Sequence, residues 1–284
     1  MKSGIRKLLY IAMVAMFLFS TGKVITQWLA EDESNESYAK AEAIAHSSVS
    51  TKTEPTQTES PVTEATEVAT APTEPEILWI PAPLEETDPI IEKLVTIDLD
   101  ALREVNPEVV GWIRVPNSKI NYPIMQGEDN TYYLEHTWEG HENPGGSIFL
   151  ESRNSPDFTD FNTIIYGHNM ASGSMFGELY TFRYQWHYNH NKYVYILTDD
   201  GVFRYDIFSS YSAEVDSATY GLSFYQWETR ENFIAHALES SDIDTGITPA
   251  LTDRIITLST CTGMGYESRR VVQAYLKMIP VDPA

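Results

Sequence analysis

The only cysteine of this 284-residue chain, Cys261, ends an apolar run, DRIITLSTC, and Arg269 and Arg270 follow at the start of a second run, RRVVQAYLKMI. A single cysteine cannot form a disulfide within the chain, so it is either a small buried residue or a reactive thiol. A thiolate can attack a carbonyl carbon, and a nearby guanidinium can stabilise the resulting oxyanion. These residue types therefore indicate acyl transfer, with an inert core cysteine as the alternative.

Strand alternation predicts which arginine accompanies the thiol. In DRIITLSTC it places Ser259 and Cys261 on one, more polar face, opposite an apolar face. In the last run, Arg269 falls on the corresponding polar face, whereas Arg270 heads the apolar one. If the two strands are neighbours, Arg269 is the better oxyanion partner.

A cysteine nucleophile needs a partner for proton transfer, most often a histidine. Of seven histidines, His168 ends an apolar strand-like run, NTIIYGH, where side chains are displayed at a strand end. The remaining histidines fall in a polar tether, polar or aromatic loops and a helix: His46, His136, His141, His187, His190 and His236. His168 is therefore the candidate proton carrier, with a structural role as the alternative.

Three motifs resemble those of sortases, transpeptidases that attach proteins to the cell wall of Gram-positive bacteria. TLSTC at Thr257–Cys261 is similar to their TLxTC signature, and YGH at Tyr166–His168 and R-x-V-V-x-A at Arg269–Ala274 follow the family order. VVGWIRVPNSKINYPIMQ, GSIFLESRN, NTIIYGHNM and DRIITLSTC resemble class B members in particular. The resemblance covers Val95–Ile279.

The resemblance implies a mechanism with His168, Cys261 and Arg269 as catalytic residues. The thiolate would cleave a sorting signal, expected to be NPxTx-like, after its threonine and form a thioester. An amine of a peptidoglycan precursor or of a pilin subunit would then resolve it. The enzyme would rank as a thiol peptidase and acyltransferase, and neither a cofactor nor a metal is expected.

The resemblance also implies that four residues contact the substrate: Asn121, Tyr166, Ser259 and Thr260. The residues themselves leave alternatives open, because Tyr166 could be a strand aromatic, Ser259 a polar strand residue and Asn121 a turn former. The short connection TGMGYES between Cys261 and Arg269 leaves Arg270 as an alternative to Arg269.

The fold class follows from short β-prone runs separated by Pro, Gly and Asn. GWIRVP, KINYPIM, GSIFLE and TIIYGH precede an aromatic segment, SMFGELYTFRYQWHYNHN, and Asp199-Asp200-Gly201 predicts a hairpin between Tyr193–Thr198 and Val202–Ser209. Helices are predicted over Ile97–Arg103 and, as a crossover, over Ser223–Ser240. The pattern indicates a mainly β fold. The resemblance to sortases makes this prediction more specific: an eight-stranded sortase-type β-barrel with an N-terminal helical extension and an inserted crossover helix.

The chain divides into three predicted regions. Residues 1–30 carry Lys2, Arg6 and Lys7 before an apolar run, which predicts a signal anchor with a cytoplasmic N-terminus, or alternatively a cleaved signal peptide. Residues 31–92 hold fifteen acids and two lysines and predict a disordered linker. Residues 93–284 form the catalytic domain, which would lie outside the cell on a single-pass membrane protein.

The acidic balance, a net charge of -22, makes nucleic acid an unfavourable partner. Three other classes stay open. One is an anchored adhesin or binding domain on a sortase-like barrel, since fold alone does not establish function. The others are a cell-wall cysteine peptidase and an L,D-transpeptidase, although Ser259-Thr260-Cys261 does not match the SHGC-like context of the latter.

Overall fold

The computed structural model describes residues 16, 25, 26, 29–47, 78–83, 88–261 and 268–281. The described strands are β1 (Leu78–Pro81), β2 (Val109–Arg114), β3 (Asn121–Met125), β4 (Ile148–Leu150), β5 (Asn162–Tyr166), β6 (Tyr193–Thr198), β7 (Gly201–Glu214), β8 (Arg254–Cys261), β9 (Ser268–Leu276) and β10 (Met278–Val281). Eight of them close into a barrel in the order β2-β3-β4-β5-β8-β9-β7-β6, while β1 pairs with β10 in a separate sheet.

The longer α-helices of the described residues are α1 (29–45), α2 (Pro89–Leu94), α3 (Leu99–Arg103), α4 (Gln185–His190) and α5 (Trp227–Ser240). Short 3-10 helices span Tyr132–Leu134, Gly177–Arg183 and Ala218–Tyr220. The predicted fold class, an eight-stranded barrel with an N-terminal helical extension and a crossover helix, is confirmed.

Local sequence chemistry explains several boundaries. The side chain of Asp98 accepts a hydrogen bond from the amide of Ala101 at 3.1 Å and so caps α3. The β6–β7 hairpin pairs Thr198 with Gly201, whose φ of 123° suits glycine, as the Asp-Gly pattern predicts. The helical crossover begins at Trp227, four residues later than the predicted Ser223.

Two apolar clusters lie on opposite faces of the β8–β9 pair. One contains Leu258 and Val272 together with most of the barrel core. The other contains Ile255 and Val271 together with Phe233 and Ile234 of α5. The alternation predicted from the sequence therefore holds, and side chains of α5 share a cluster with the face that carries the polar residues.

The N-terminal segment corrects one prediction. Helix α1 packs on the barrel: Ala41 and Ala45 are fully buried, and the hydroxyl of Tyr38 donates to the carbonyl of Gly146 at 2.8 Å. The expectation of a disordered linker over residues 31–92 is thus wrong for residues 31–47, and β1 and the start of α2 also lie within that range. Residues 48–77 and 84–87 lie outside the described residues.

The predicted membrane localisation is also corrected. No helix within the described part of the chain has the length and apolar character needed to cross a membrane. The anchor was expected over residues 1–30, most of which lie outside the described residues.

Candidate active site

Two parallel strands bring the candidate histidine and cysteine to one end of the barrel. Strands β5 and β8 pair in parallel with Tyr166 opposite Ser259, and the amide of Gly167 continues the ladder to the carbonyl of Ser259 at 3.2 Å. His168 follows this bond directly, and Cys261 is the last residue of β8. Neighbouring strands lie about 4.8 Å apart, so the two backbones end side by side.

The next strand adds the arginine. Strands β8 and β9 are antiparallel, and their register sets Cys261 opposite Arg269 and Thr260 opposite Arg270. Cross-strand register partners share a face of the sheet. The side chain of Cys261 and residues 262–267 lie outside what the structure describes. His168, Cys261 and Arg269 therefore lie at one end of three neighbouring strands, β5, β8 and β9, in that order.

The two arginines have different surroundings. The side chain of Arg270 is 2% exposed, and it forms an ion pair with Asp242 at 2.6 Å and donates to the hydroxyl of Ser210 at 2.9 Å. Burial lowers the pKa of Arg270, and the bond to Asp242 opposes that shift. Arg269 is half-buried, and its Nη1 donates to the carbonyl of Ser268 at 3.3 Å. Arg270 thus has a structural role, which supports the choice of Arg269.

His168 is half-buried, and its ring is oriented by a backbone carbonyl. Its Nε2 lies 2.7 Å from the carbonyl oxygen of Leu134, in the 3-10 helix that precedes β4. A carbonyl only accepts hydrogen bonds, so Nε2 carries a proton and Nδ1 is the nitrogen left for proton exchange.

Gly167 allows the strand end that carries His168 to pack closely. A Cβ atom at this position would lie 2.5 Å from Cδ1 of Ile148 and 2.9 Å from the ring of Phe176. Carbon atoms do not approach so closely without displacement. The glycine of the YGH motif is therefore required by packing next to the histidine.

The predicted substrate-binding residues do not all reach an open surface. Ser259 is 1% exposed, and its hydroxyl lies 2.9 Å from the hydroxyl of Tyr220. Thr260 is 2% exposed, and its hydroxyl has no hydrogen-bond partner among the described residues. Both hydroxyls are buried in this structure, so neither is open to a peptide.

Asn121 and Tyr166 lie at the same end of the barrel as His168, because β3 runs parallel to β4 and β4 antiparallel to β5. The amide of Asn121 accepts from Nε1 of Trp112 at 2.9 Å and donates to Glu42 of α1 at 3.2 Å. Asn121 therefore also joins the barrel to its N-terminal helix. Tyr166 is half-buried.

Sequence reasoning missed three contacts of these strands and of His168. The carbonyl of Leu134 orients His168, and Tyr220 covers Ser259. Glu151, only 1% exposed, accepts a hydrogen bond from the hydroxyl of Tyr166 at 3.0 Å. An acidic residue at the end of the apolar run GSIFLE was a signal for Glu151, whereas the other two contacts depend on tertiary structure alone.

Comparison with known proteins identifies similar molecules. The family described as Sortase domain matches residues 113–277. Sortase B of Listeria monocytogenes is 36% identical over 179 residues, which cover 62% of this chain and 72% of the relative.

Solved structures agree with this similarity. The Staphylococcus aureus sortase B–substrate complex superposes with a TM-score of 0.60 at 30% identity, covering 65% of this chain and 85% of that one. A sortase B complexed with triglycine superposes with a TM-score of 0.59 at 30% identity, covering 64% of this chain and 86% of that one.

Proposed function

Because this chain belongs to the sortase family of cell-wall cysteine transpeptidases, we propose that Cys261 is its nucleophile, with His168 as proton carrier and Arg269 as oxyanion partner. The observation that carries the proposal is the shared end of three neighbouring strands. Cys261 and Arg269 are register partners, and the ladder from β5 leads directly into His168.

The first half-reaction makes a thioester. The Cys261 thiolate attacks the carbonyl carbon of the signal's threonine, and the carbonyl π electrons move to oxygen. Arg269 stabilises that oxyanion, because a guanidinium offers fixed donors and a permanent charge. The tetrahedral intermediate then expels the amine of the C-terminal fragment, which takes a proton from Nδ1 of His168.

The second half-reaction transfers the acyl group. An amine attacks the thioester carbonyl, His168 takes the proton of that amine, and the thiolate leaves. Nε2 of His168 can keep its bond to the carbonyl of Leu134 throughout, because only Nδ1 exchanges protons. The same nitrogen therefore serves as acid and then as base.

The substrates are proposed by class. An NPxTx-like sorting signal is supported by the class B resemblance, and a similar sortase B was solved as a substrate complex. A peptide amine as acceptor, from a peptidoglycan precursor or a pilin, is supported by a similar sortase B complexed with triglycine. In the absence of an amine, water would resolve the thioester, so the enzyme would act as a thiol peptidase.

A peptide assay tests this function. The chain from residue 29 to 284, which retains α1, is incubated with quenched NPxTx-like and LPxTG-like peptides, with and without triglycine. We expect cleavage after threonine, a triglycine-linked product by mass spectrometry, and preference for the NPxTx-like peptide. Equal behaviour of wild type and Cys261→Ala across all peptides would contradict the proposal and favour a binding domain.

A further inference from the structure

A buried carboxylate lies beside the strand that carries His168. Glu151 follows β4 directly and is 1% exposed. Its Oε1 accepts from Nε of Arg153 at 2.7 Å, and its Oε2 accepts from the amide of Asn130 at 2.7 Å and from the hydroxyl of Tyr166 at 3.0 Å. A buried charge is tolerated only when it is paired and hydrogen-bonded, and these three donors meet that condition.

These contacts keep Glu151 ionised. Burial alone would raise the pKa of Glu151, but the hydrogen bonds from Arg153 and Tyr166 outweigh burial and lower it. The side chain of Arg153 is 71% exposed, so its ion pair is screened by water. The contact with Tyr166 joins this carboxylate to the last residue of β5, two residues before His168.

Tyr166 connects this carboxylate to the strand pair of the site. It is the last residue of β5, pairs in register with Ser259, and packs against the ring of Phe149 at a centroid distance of 5.3 Å. His168 lies two residues further along the chain. The hydrogen bond to Glu151 therefore fixes the rotation of a side chain next to both candidate catalytic strands.

The hydrogen bond also determines what the phenol can offer a ligand. A phenol has one proton to donate and lone pairs with which to accept. The proton is given to Glu151, and burial together with the charge of Glu151 raises the pKa of Tyr166, so that the phenol stays neutral. Tyr166 can then only accept a hydrogen bond from a ligand.

We propose that Glu151 is a positioning residue for acyl transfer, which holds Tyr166 as a hydrogen-bond acceptor for an N–H donor of the substrates. The inference rests on the proposed function. The donor is either a backbone amide of the sorting signal or the incoming amine, and these act in different half-reactions. Glu151 itself is buried and acts through its hydrogen bond to Tyr166.

Two kinetic constants test the proposal. The rate constant for acylation of Cys261 is measured with an NPxTx-like peptide alone, and the ratio of transfer to hydrolysis is measured with triglycine. Glu151→Gln keeps the volume but leaves one carbonyl oxygen for three donors, and Tyr166→Phe removes the acceptor. We expect each variant to lower one constant by about five- to tenfold, the loss that follows when one hydrogen bond to a neutral group is removed. We also expect the double variant to be no worse than the single ones.

The measurement that changes identifies the hydrogen-bond donor. A lower rate constant for acylation indicates a backbone amide of the sorting signal, and a lower ratio of transfer to hydrolysis indicates the incoming amine. Arg153→Gln removes a donor to the same carboxylate without touching Tyr166, and should keep both constants. Multiplicative losses in the double variant, or a Glu151→Gln variant with a lower Tm but unchanged constants, would overturn the inference. If the Glu151→Gln variant does not fold, the Tyr166→Phe variant is sufficient as a test, and unchanged constants in that variant would overturn the inference. A wild-type chain that is never acylated would instead overturn the proposed function.

Discussion

The adjacent arginines Arg269 and Arg270 have different surroundings because successive side chains of a β-strand point to opposite faces of the sheet. Arg270 pairs with Asp242 and is buried, whereas Arg269 occupies the register position opposite Cys261. Alternation along RRVVQA predicted this division. The partners of Arg270 could not be predicted, since Asp242 and Ser210 come from distant parts of the chain.

The two arginines should therefore fail in different ways when each is replaced by alanine. Arg269→Ala is expected to lower kcat/KM for peptide cleavage by about a hundredfold with little change in Tm, because it removes an oxyanion donor. Arg270→Ala is expected to lower the free energy of unfolding by about 2 kcal/mol, because it removes the hydrogen bonds of a buried guanidinium to Asp242 and Ser210, while Asp242, whose side chain is 47% exposed, stays solvated. Urea denaturation and peptide kinetics on the folded protein measure both effects. Loss of activity confined to Arg270→Ala would reverse the assignment.

At the scale of elements, the site depends on strands that are distant in sequence. Strand β5 meets β8 in parallel, which requires a long connection, and β7 and α5 lie between them in the chain. Helix α1 supports the same barrel end through Asn121, whose amide donates to Glu42. The helix also buries Tyr38 against Tyr122, with ring centroids 5.0 Å apart.

Helix α1 is expected to contribute to stability through Tyr38, which is 7% exposed. Tyr38→Ala should lower the free energy of unfolding by about 3–5 kcal/mol, since a large buried ring is lost. Tyr38→Phe keeps the ring but loses the bonds to Gly146 and Ser147, and should cost about 1 kcal/mol. Denaturant titration of both variants measures these costs. A Tyr38→Ala chain as stable as wild type would show that α1 does not hold to the barrel.

At the scale of the whole molecule, the barrel strands and the three catalytic candidates could be predicted from local patterns and motifs. Helix α1 was missed because the acidic composition of residues 31–92 outweighed its helical signal, the spacing of Ser34, Tyr38, Ala41 and Ala45 that buries one face. The burial of Ser259 and Thr260 was also not predictable. Tyr220, from a distant part of the chain, contacts Ser259, and Ser259 and Thr260 lie on opposite faces of β8. No local pattern therefore predicts that both residues are buried.

The covalent state of Cys261 during turnover is the most direct test of the proposed mechanism. The chain from residue 29 to 284 is mixed with an NPxTx-like peptide without amine, quenched in acid, and analysed by intact mass and peptide mapping. We predict an adduct of the signal's N-terminal part on Cys261 that triglycine removes with formation of the linked product, and that is absent in Cys261→Ala. Cleavage with no adduct, or an adduct that persists in Cys261→Ala, would contradict a thioester at this residue.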